Sequence, residues 1–423
     1  MEKYNEYKDS GVAWLGEIPE NWKIRRIKDA ITKIGSGVTP KGGSETYVNE
    51  GIPFIRSQNV YSDGLRLDNV SFITEEVHNK MKNSQLKPYD ILINITGASI
   101  GRTCVFPELL KTANINQHII YLRVKKKKVD YFAYYLKSST IQEYIMNIQA
   151  GTSKEALNMS QVLNIELLFP EVQEQTQIAN YLDAKTIAID KKVTLLQQKI
   201  KHYKAYRKTL INQTVSKGLD KTVKLKDSGI NWIGEIPEHW EVKRLKDLYK
   251  SSMGNTILKE DLKNNGKIPV YSATEKDKFF GYVNNARLIL KSNDLVIPAR
   301  GNSIGYVKIV KAKSTSTQTT IACKKKSKHN SKFVFYFLQG NKSVIFKFDD
   351  TAIPQFTVED TNSINIVIPN DEKEQQQIAD HLDVKTRAID KIVNNIETRI
   401  STLKELRKTL INEVVTGKVK VSA

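Results

Sequence analysis

The sequence predicts an α+β protein: two globular domains of mixed strand and helix, each followed by a long helix, with the two helices pairing as a coiled coil. Three observations carry this. A polar, heptad-patterned run over about 171–217 returns two hundred residues later over 371–418. The opening segment 8–22, with its Gly-Glu-Ile-Pro-Glu-x-Trp close, returns as 226–240 at an offset of 218. Between these landmarks lie short apolar runs separated by turns. The whole chain is therefore a tandem duplication of one unit, divided as a first domain over 1–170, a helix over 171–217, a second domain over 218–370 and a helix over 371–418.

At 423 residues the chain is long enough for two or more domains, each with a sizeable core. No run of about 18 apolar residues occurs, and the first residues lack the charged-then-apolar pattern of a signal peptide, so a cytoplasmic protein without membrane contact is expected. Cys104 and Cys323 stand alone, which disfavours a disulfide framework or a cysteine zinc site and leaves buried free thiols. The formal charge of +20 points to a polyanionic partner. It divides as +4 over 1–170, +5 over 171–217, +10 over 218–370 and +1 over 371–423. A charge spread over folded segments favours a binding surface over a flexible basic arm.

Trp14, Trp22, Trp232 and Trp240 are the only tryptophans and fall in matched pairs, where packing against their own domain is the simpler reading. Beyond the opening segment the offset drifts. Ile52-Pro53 matches Ile268-Pro269 at 216, and Asp90-Ile91-Leu92 matches Asp294-Leu295-Val296 at 204, so a dozen residues are extra in the first copy between Arg56 and Pro88. Residues 90–106 and 294–310 each read as strand, glycine turn, strand. A phosphate loop would need Gly-Lys-Ser/Thr opening a helix, which neither copy has. Residues 131–145 and 333–346 are expected as core helices over the sheet. The lysines of 125–128 and 324–326 precede them, as either a solvated loop or a phosphate contact. Each unit closes on an apolar strand, 165–170 or 364–369, and helix follows at once. Acidic residues crowd its first turns, and Gly218 and Gly417 sit where it would stop.

On the first helix Leu182, Ile189, Leu196, Tyr203 and Leu210 fall seven apart, with Thr186, Val193, Ile200, Arg207 and Thr214 four residues after each. The second keeps the register with Leu382, Ile389, Ile396, Leu403 and Leu410, and with Thr386, Val393, Ile400, Arg407 and Val414. About 40 residues make a helix of roughly 60 Å. One with so narrow a seam needs a partner, and the nearest is its own copy. Antiparallel pairing would place the domains at opposite ends; parallel pairing would bring them together, and the seam does not exclude it. Arg207 and Arg407 on the seam are expected as a register device or a contact with a further chain. Ile187, Ala188, Ile211 and Val215, with Ile392, Ile411 and Val415, are compatible with further helices docking from another protein.

The pattern resembles the DNA-specificity subunit of type I restriction-modification systems over nearly the whole chain. The residues that carry the resemblance are the paired Gly-Glu-Ile-Pro-Glu-x-Trp segments, the stretch 90–101, and the paired Glu-Gln-x-x-Ile-Ala-x-x-Leu-Asp helix starts at 174–183 and 374–383. The last, twice and at this spacing, is the specific signal. The resemblance implies two target-recognition domains, each reading half of a split double-stranded DNA sequence. It also implies antiparallel central helices that hold them apart and dock two methyltransferase subunits and, through them, restriction subunits. Catalysis then resides in other chains. Consistent with that, the sequence has no Asn-Pro-Pro-Tyr or Asp-Pro-Pro-type methylation motif, glycine-rich cofactor loop, Walker lysine or metal-spaced histidines, so no cofactor or metal is expected.

DNA reading needs amide, hydroxyl and guanidinium groups on turns that enter a groove, with lysine and arginine on flanking phosphates. In the first domain the candidates are Lys33, the turn 35–44 with Ser36, Thr39, Lys41 and Ser44, the stretch Arg56, Ser57, Gln58 and Asn59, and Arg102. In the second they are Asn255 and Thr256, then Ser272, Thr274 and Lys276, then Arg300 and Asn302. The competing reading is a coiled-coil adaptor whose terminal domains bind protein, which the basic excess disfavours.

Overall fold

A computed structural model describes residues 2–149, 156–347 and 354–421. The chain resolves into two compact units, residues 1–195 with 398–423, and residues 196–397. Each unit thus combines one globular domain, part of its own long helix and part of the other.

In the first unit the core sheet has the order Thr103–Val105, Ile91–Asn94, Ile119–Arg123, Lys33–Ser36, antiparallel throughout. A second sheet orders Asn114–Ile115, Ile52–Ile55 and Ser71–Ile73, with the first pair parallel. The second unit repeats both. Tyr249–Met253, Thr320–Lys325, Leu295–Pro298 and Lys308–Ile309 form one sheet; Gly281–Val283, Ile268–Tyr271 and Thr315–Ser316 form the other. Ile91, Leu92, Ile93, Leu295, Val296 and Ile297 are all fully buried or nearly so, as expected of apolar runs covered on both faces. The glycine turns expected after them are observed, and each joins two antiparallel strands.

The expected core helices are present but broken. Val129–Lys137 gives way to Ser139–Asn147 at Ser138, whose backbone is extended (ψ 149°) and whose hydroxyl donates to the Tyr135 carbonyl at 2.7 Å. A serine side chain that satisfies a backbone acceptor in this way competes with continuation of the helix. Ser331–Gly340 ends likewise at Asn341, whose amide donates to the Phe337 carbonyl.

The long helices span Val172–Lys217 and Glu372–Val415. Between 187 and 210, and between 387 and 410, the buried or half-buried residues are the heptad positions and the intervening ones are exposed. The pairing is antiparallel inside each unit. In the first, Arg407 Nε lies 3.0 Å from Asp190 Oδ1; in the second, Arg207 Nε lies 3.0 Å from Asp390 Oδ1. Both helices stop where glycine adopts a left-handed φ of 73°, at Gly218 and Gly417.

The specific helix-start motif proves to be a clamp. Glu174 accepts the Trp22 indole N–H at 3.1 Å and the Tyr4 hydroxyl at 2.7 Å; Glu374 accepts the Trp240 indole N–H at 3.0 Å and pairs with His239 at 2.8 Å. Gln175 and Gln375 donate to the carbonyls of Pro170 and Pro369. Ile178, Leu182, Ile378 and Leu382 are fully buried. Asp183 and Asp383 accept the hydroxyls of Tyr134 and Tyr336, each at 2.6 Å. Trp22 and Trp240 are fully buried, so packing is their role.

One expectation about the helix surface is corrected. Ile211 and Val215 belong to the core of the second unit, and Ile411 and Val415 to that of the first. Burial of each removes a large apolar side chain from water, worth about 1.5–3 kcal/mol, and leaves it unavailable to a docking partner. Ile187 and Ile392 do stay exposed.

Candidate nucleic-acid interface

The strands of each unit bring a set of loops to one end of the sheets. Ser36, Asn94 and Ile119 sit at neighbouring register positions there, with the ends of Ile52–Ile55 and Asn114–Ile115 alongside. The connections leaving them, around 37–44, 56–59, 95–102 and 116–118, therefore converge. The second unit gathers 254–256, 272–276, 299–305 and 317–319 in the same manner. All the expected DNA-reading positions fall on these connections except Ser36, which ends its strand at the same end, and Lys33, which begins that strand opposite Arg123, at the far end.

Several expected readers are spent on the fold. Asn59 is buried; its side-chain oxygen accepts the Arg56 N–H at 3.0 Å and its amide donates to the Arg66 carbonyl at 2.9 Å, so it shapes the loop and presents nothing to a groove. Ser57 is half-buried, and it is its backbone carbonyl, not its hydroxyl, that accepts from Asn94. Asn255 donates to Thr315 Oγ1 at 3.0 Å. Ser272 is buried, its carbonyl accepting from Lys308 at 3.2 Å, and Thr274 Oγ1 accepts from the same amine at 2.6 Å. Lys308 is thus an unexpected residue of the site: a buried amine, its pKa lowered chiefly by that burial, that holds the 272–274 loop. A lone lysine inside an apolar strand pattern gives no sign of this in sequence.

Gln58, Lys41, Ser44, Thr39, Thr256, Lys276, Arg300 and Asn302 are exposed at the loop end, and Ser36, Arg56 and Arg102 are half-buried there. Arg102 and Arg66 place their guanidinium carbons each 4.9 Å from the Tyr61 ring centre, and Arg66 is held by Asp63 at 2.6 Å. Arg102, which has no carboxylate partner among the described residues, is the planar cation suited to nucleic acid there, since the ring restrains it without neutralising it.

The extra dozen residues of the first copy resolve into two equal parts. Residues 56–70 join two strands that 272–280 join in the second copy, and 74–90 correspond to 284–294. The first excess forms the hairpin Val60–Tyr61 with Gly64–Leu65, which carries Tyr61; the second forms the helix Glu75–Lys80. Without that helix, the second unit has an open cleft of about 940 Å³ lined by Asn255, Thr256, Lys263, Asn284, Asn285 and Arg287. Among the described residues the side chains of Asn284, Asn285 and Arg287 make no hydrogen bond or ion pair, so amide and guanidinium groups face the cleft uncommitted. The two loop ends share a frame and differ in surface.

Both thiols are buried, which pushes each up to about 12, and no cluster of histidine, cysteine and carboxylate able to hold a metal occurs among the described residues. No helix of the described residues is long and apolar enough to cross a membrane.

The model of the type I restriction modification DNA specificity domain matches residues 19–202 and again 237–402. Two specificity subunits of Methanocaldococcus jannaschii are similar over nearly their full length. The putative MjaX specificity subunit is 26% identical, with 96% of each chain covered, and the MjaIX specificity subunit is 25% identical, with 98% of this chain and 97% of that one covered. Among solved structures, a chain from a type I R-M system studied for its complex assembly and conformational transition superposes with a TM-score of 0.73 at 13% identity, covering 95% of this chain and 99% of that one. The HsdS subunit from Thermoanaerobacter tengcongensis superposes with a TM-score of 0.55 at 15% identity, covering 95% and 98%. These likenesses agree in fold with the duplicated domain and helix described above. The chain therefore belongs to the type I restriction-modification DNA specificity family, as a specificity subunit with two target-recognition domains.

Proposed function

We propose that this chain reads a bipartite double-stranded DNA target, one half through each loop end, and docks two methyltransferase subunits and, through them, restriction subunits, without catalysing a reaction itself. The observation that carries the reading is the duplicated loop end: the same strands present different exposed side chains in the two units. Identical frames explain why both halves engage the same kind of ligand, and unlike surfaces explain why the two half-sites differ. The formal charge of +20 supplies the attraction to a polyanion. Docking is supported by apolar residues that neither the seam nor a core uses: Ile187, Leu195 and Leu406 in the first unit, and Tyr206, Val384 and Ile392 in the second. Such side chains along a polar helix are the anchors a partner helix would cover. The site of action is the cytoplasm, where the DNA and the partner subunits are met. Selection from random duplexes by the chain assembled with its methyltransferase partner tests this. A motif of two short blocks separated by an unspecified gap, with affinity falling steeply as salt rises, is expected. Binding without sequence preference would overturn it.

A further inference from the structure

One arrangement at the loop end is the same in both units although the surrounding loops differ. In the first, the Thr39 hydroxyl donates to Gln117 Oε1; in the second, the Thr256 hydroxyl donates to Gln318 Oε1 at 3.0 Å. Gln117 and Gln318 are exposed, each at the same place in its tight turn, between Asn114–Ile115 and Ile119–Arg123 in the first unit and between Thr315–Ser316 and Thr320–Lys325 in the second. The threonine segment crosses that turn at backbone contact. Gly37 N–H donates to the Ile119 carbonyl and Val38 N–H to the Ile115 carbonyl; Gly254 and Asn255 donate likewise to Thr320 and Ser316. A Cβ at Gly37 would lie 2.0 Å from the Asn116 carbonyl oxygen, and one at Gly254 would lie 2.2 Å from that of Thr317. Glycine is required at both places for the crossing to exist.

The consequence is a glutamine held in one orientation. With its oxygen engaged by the threonine, its amide nitrogen is left with two donors directed away from the clasp, and no further hydrogen bond is formed by either side chain among the described residues. A pre-oriented, exposed N–H pair suits an anionic oxygen. The repetition decides which one. Contacts to base edges carry sequence information, whereas contacts to phosphate fix position without carrying any. An element kept the same in two domains whose other surface groups differ is the kind that performs the sequence-independent task.

We propose that Gln117 and Gln318 are paired phosphate-contacting residues that set the depth and register of each domain on the duplex, leaving discrimination between bases to the loops around them. This rests on the DNA-reading function proposed above. The test uses the full chain assembled with its methyltransferase partner, with Q117A, Q318A and the isosteric Q117E and Q318E. Glutamate keeps the acceptor for the threonine and so the clasp, but turns a donor into a negative oxygen. Each alanine variant is expected to bind about tenfold more weakly on every duplex alike, as loss of a hydrogen bond to a charged group requires. The selected motif should be unchanged, and so should the slope of affinity against salt, because a neutral amide releases no counterion. The glutamate variants should bind more weakly still at an unchanged melting temperature. Wild-type affinity in the glutamate variants, or an altered base preference in the corresponding half-site, would overturn the inference. A wild-type complex that binds DNA without preference overturns the proposed function and leaves this inference readable through uniform affinity. One that binds no DNA overturns both.

Discussion

Arg407 and Asp190 meet on the helix seam with Nε 3.0 Å from Oδ1, and Arg207 and Asp390 repeat the contact at 3.0 Å in the other unit. The arginines occupy positions where the heptad pattern would place an apolar residue. Each is three-quarters or so covered, yet its aspartate is half-exposed, so the pair contributes little net stability, about 0.2–1 kcal/mol. Its effect lies in register: the seam closes only where arginine faces aspartate. D190R and R407D alone are each expected to lower the melting temperature by several degrees, and the exchange D190R/R407D to recover it. A thermal double-mutant cycle measures this, and zero coupling would remove the register role.

The two pairs lie on either side of residues 195 and 397, which constrains helix length. Seven residues inserted after Leu195 alone lengthen that helix by about 10 Å and leave the second without a counterpart for the added turns. Loss of cooperative unfolding is expected. A matching heptad after Glu397 should restore it, and restoration is read by calorimetry. A single insertion that unfolds like the parent would contradict helix pairing as the determinant.

Glu374 stands between the buried Trp240 and the helix start. Glu374→Ala leaves the indole N–H without an acceptor, an expected cost of about 1–3 kcal/mol. Glu174→Ala should do the same through Trp22. Denaturant titrations followed by tryptophan fluorescence check both.

Burial in the second unit, and secondarily the nearby Lys325, lowers the His329 pKa to about 4. Its unfolded value is near 6.5, so between these values the unfolded chain binds the extra proton. The stability that the neutral ring provides is complete above about pH 6.5 and declines as pH falls towards 4, by up to about 3 kcal/mol. His329→Phe should flatten that decline, measured as the midpoint of urea unfolding against pH.

Much of this was legible in the sequence because duplication and period are long-range patterns that survive local ambiguity. The heptad rows, the glycine stops and the strand–turn–strand repeats emerge where expected, and antiparallel pairing was open only because seam residues alone carry no direction. What was not legible depends on residues distant in sequence. Asn59 has the composition of a groove reader and is instead a loop brace, since Arg56 and Arg66 close around it. Gln117 is a lone polar residue until Thr39 reaches it from 78 residues away. The breaks at Ser138 and Asn341 arise from single side-chain bonds that compete with an otherwise helical pattern.

The central claim is that each loop end reads its own half of the target. It is tested most directly by changing one end only and reading the whole selected motif from random DNA. Arg102→Ala with Gln58→Ala in the first unit, and separately Arg287→Ala with Asn284→Ala in the second, are each expected to relax base preference in one block and leave the other block and the gap intact. Variants that change both blocks together, or neither, would contradict it.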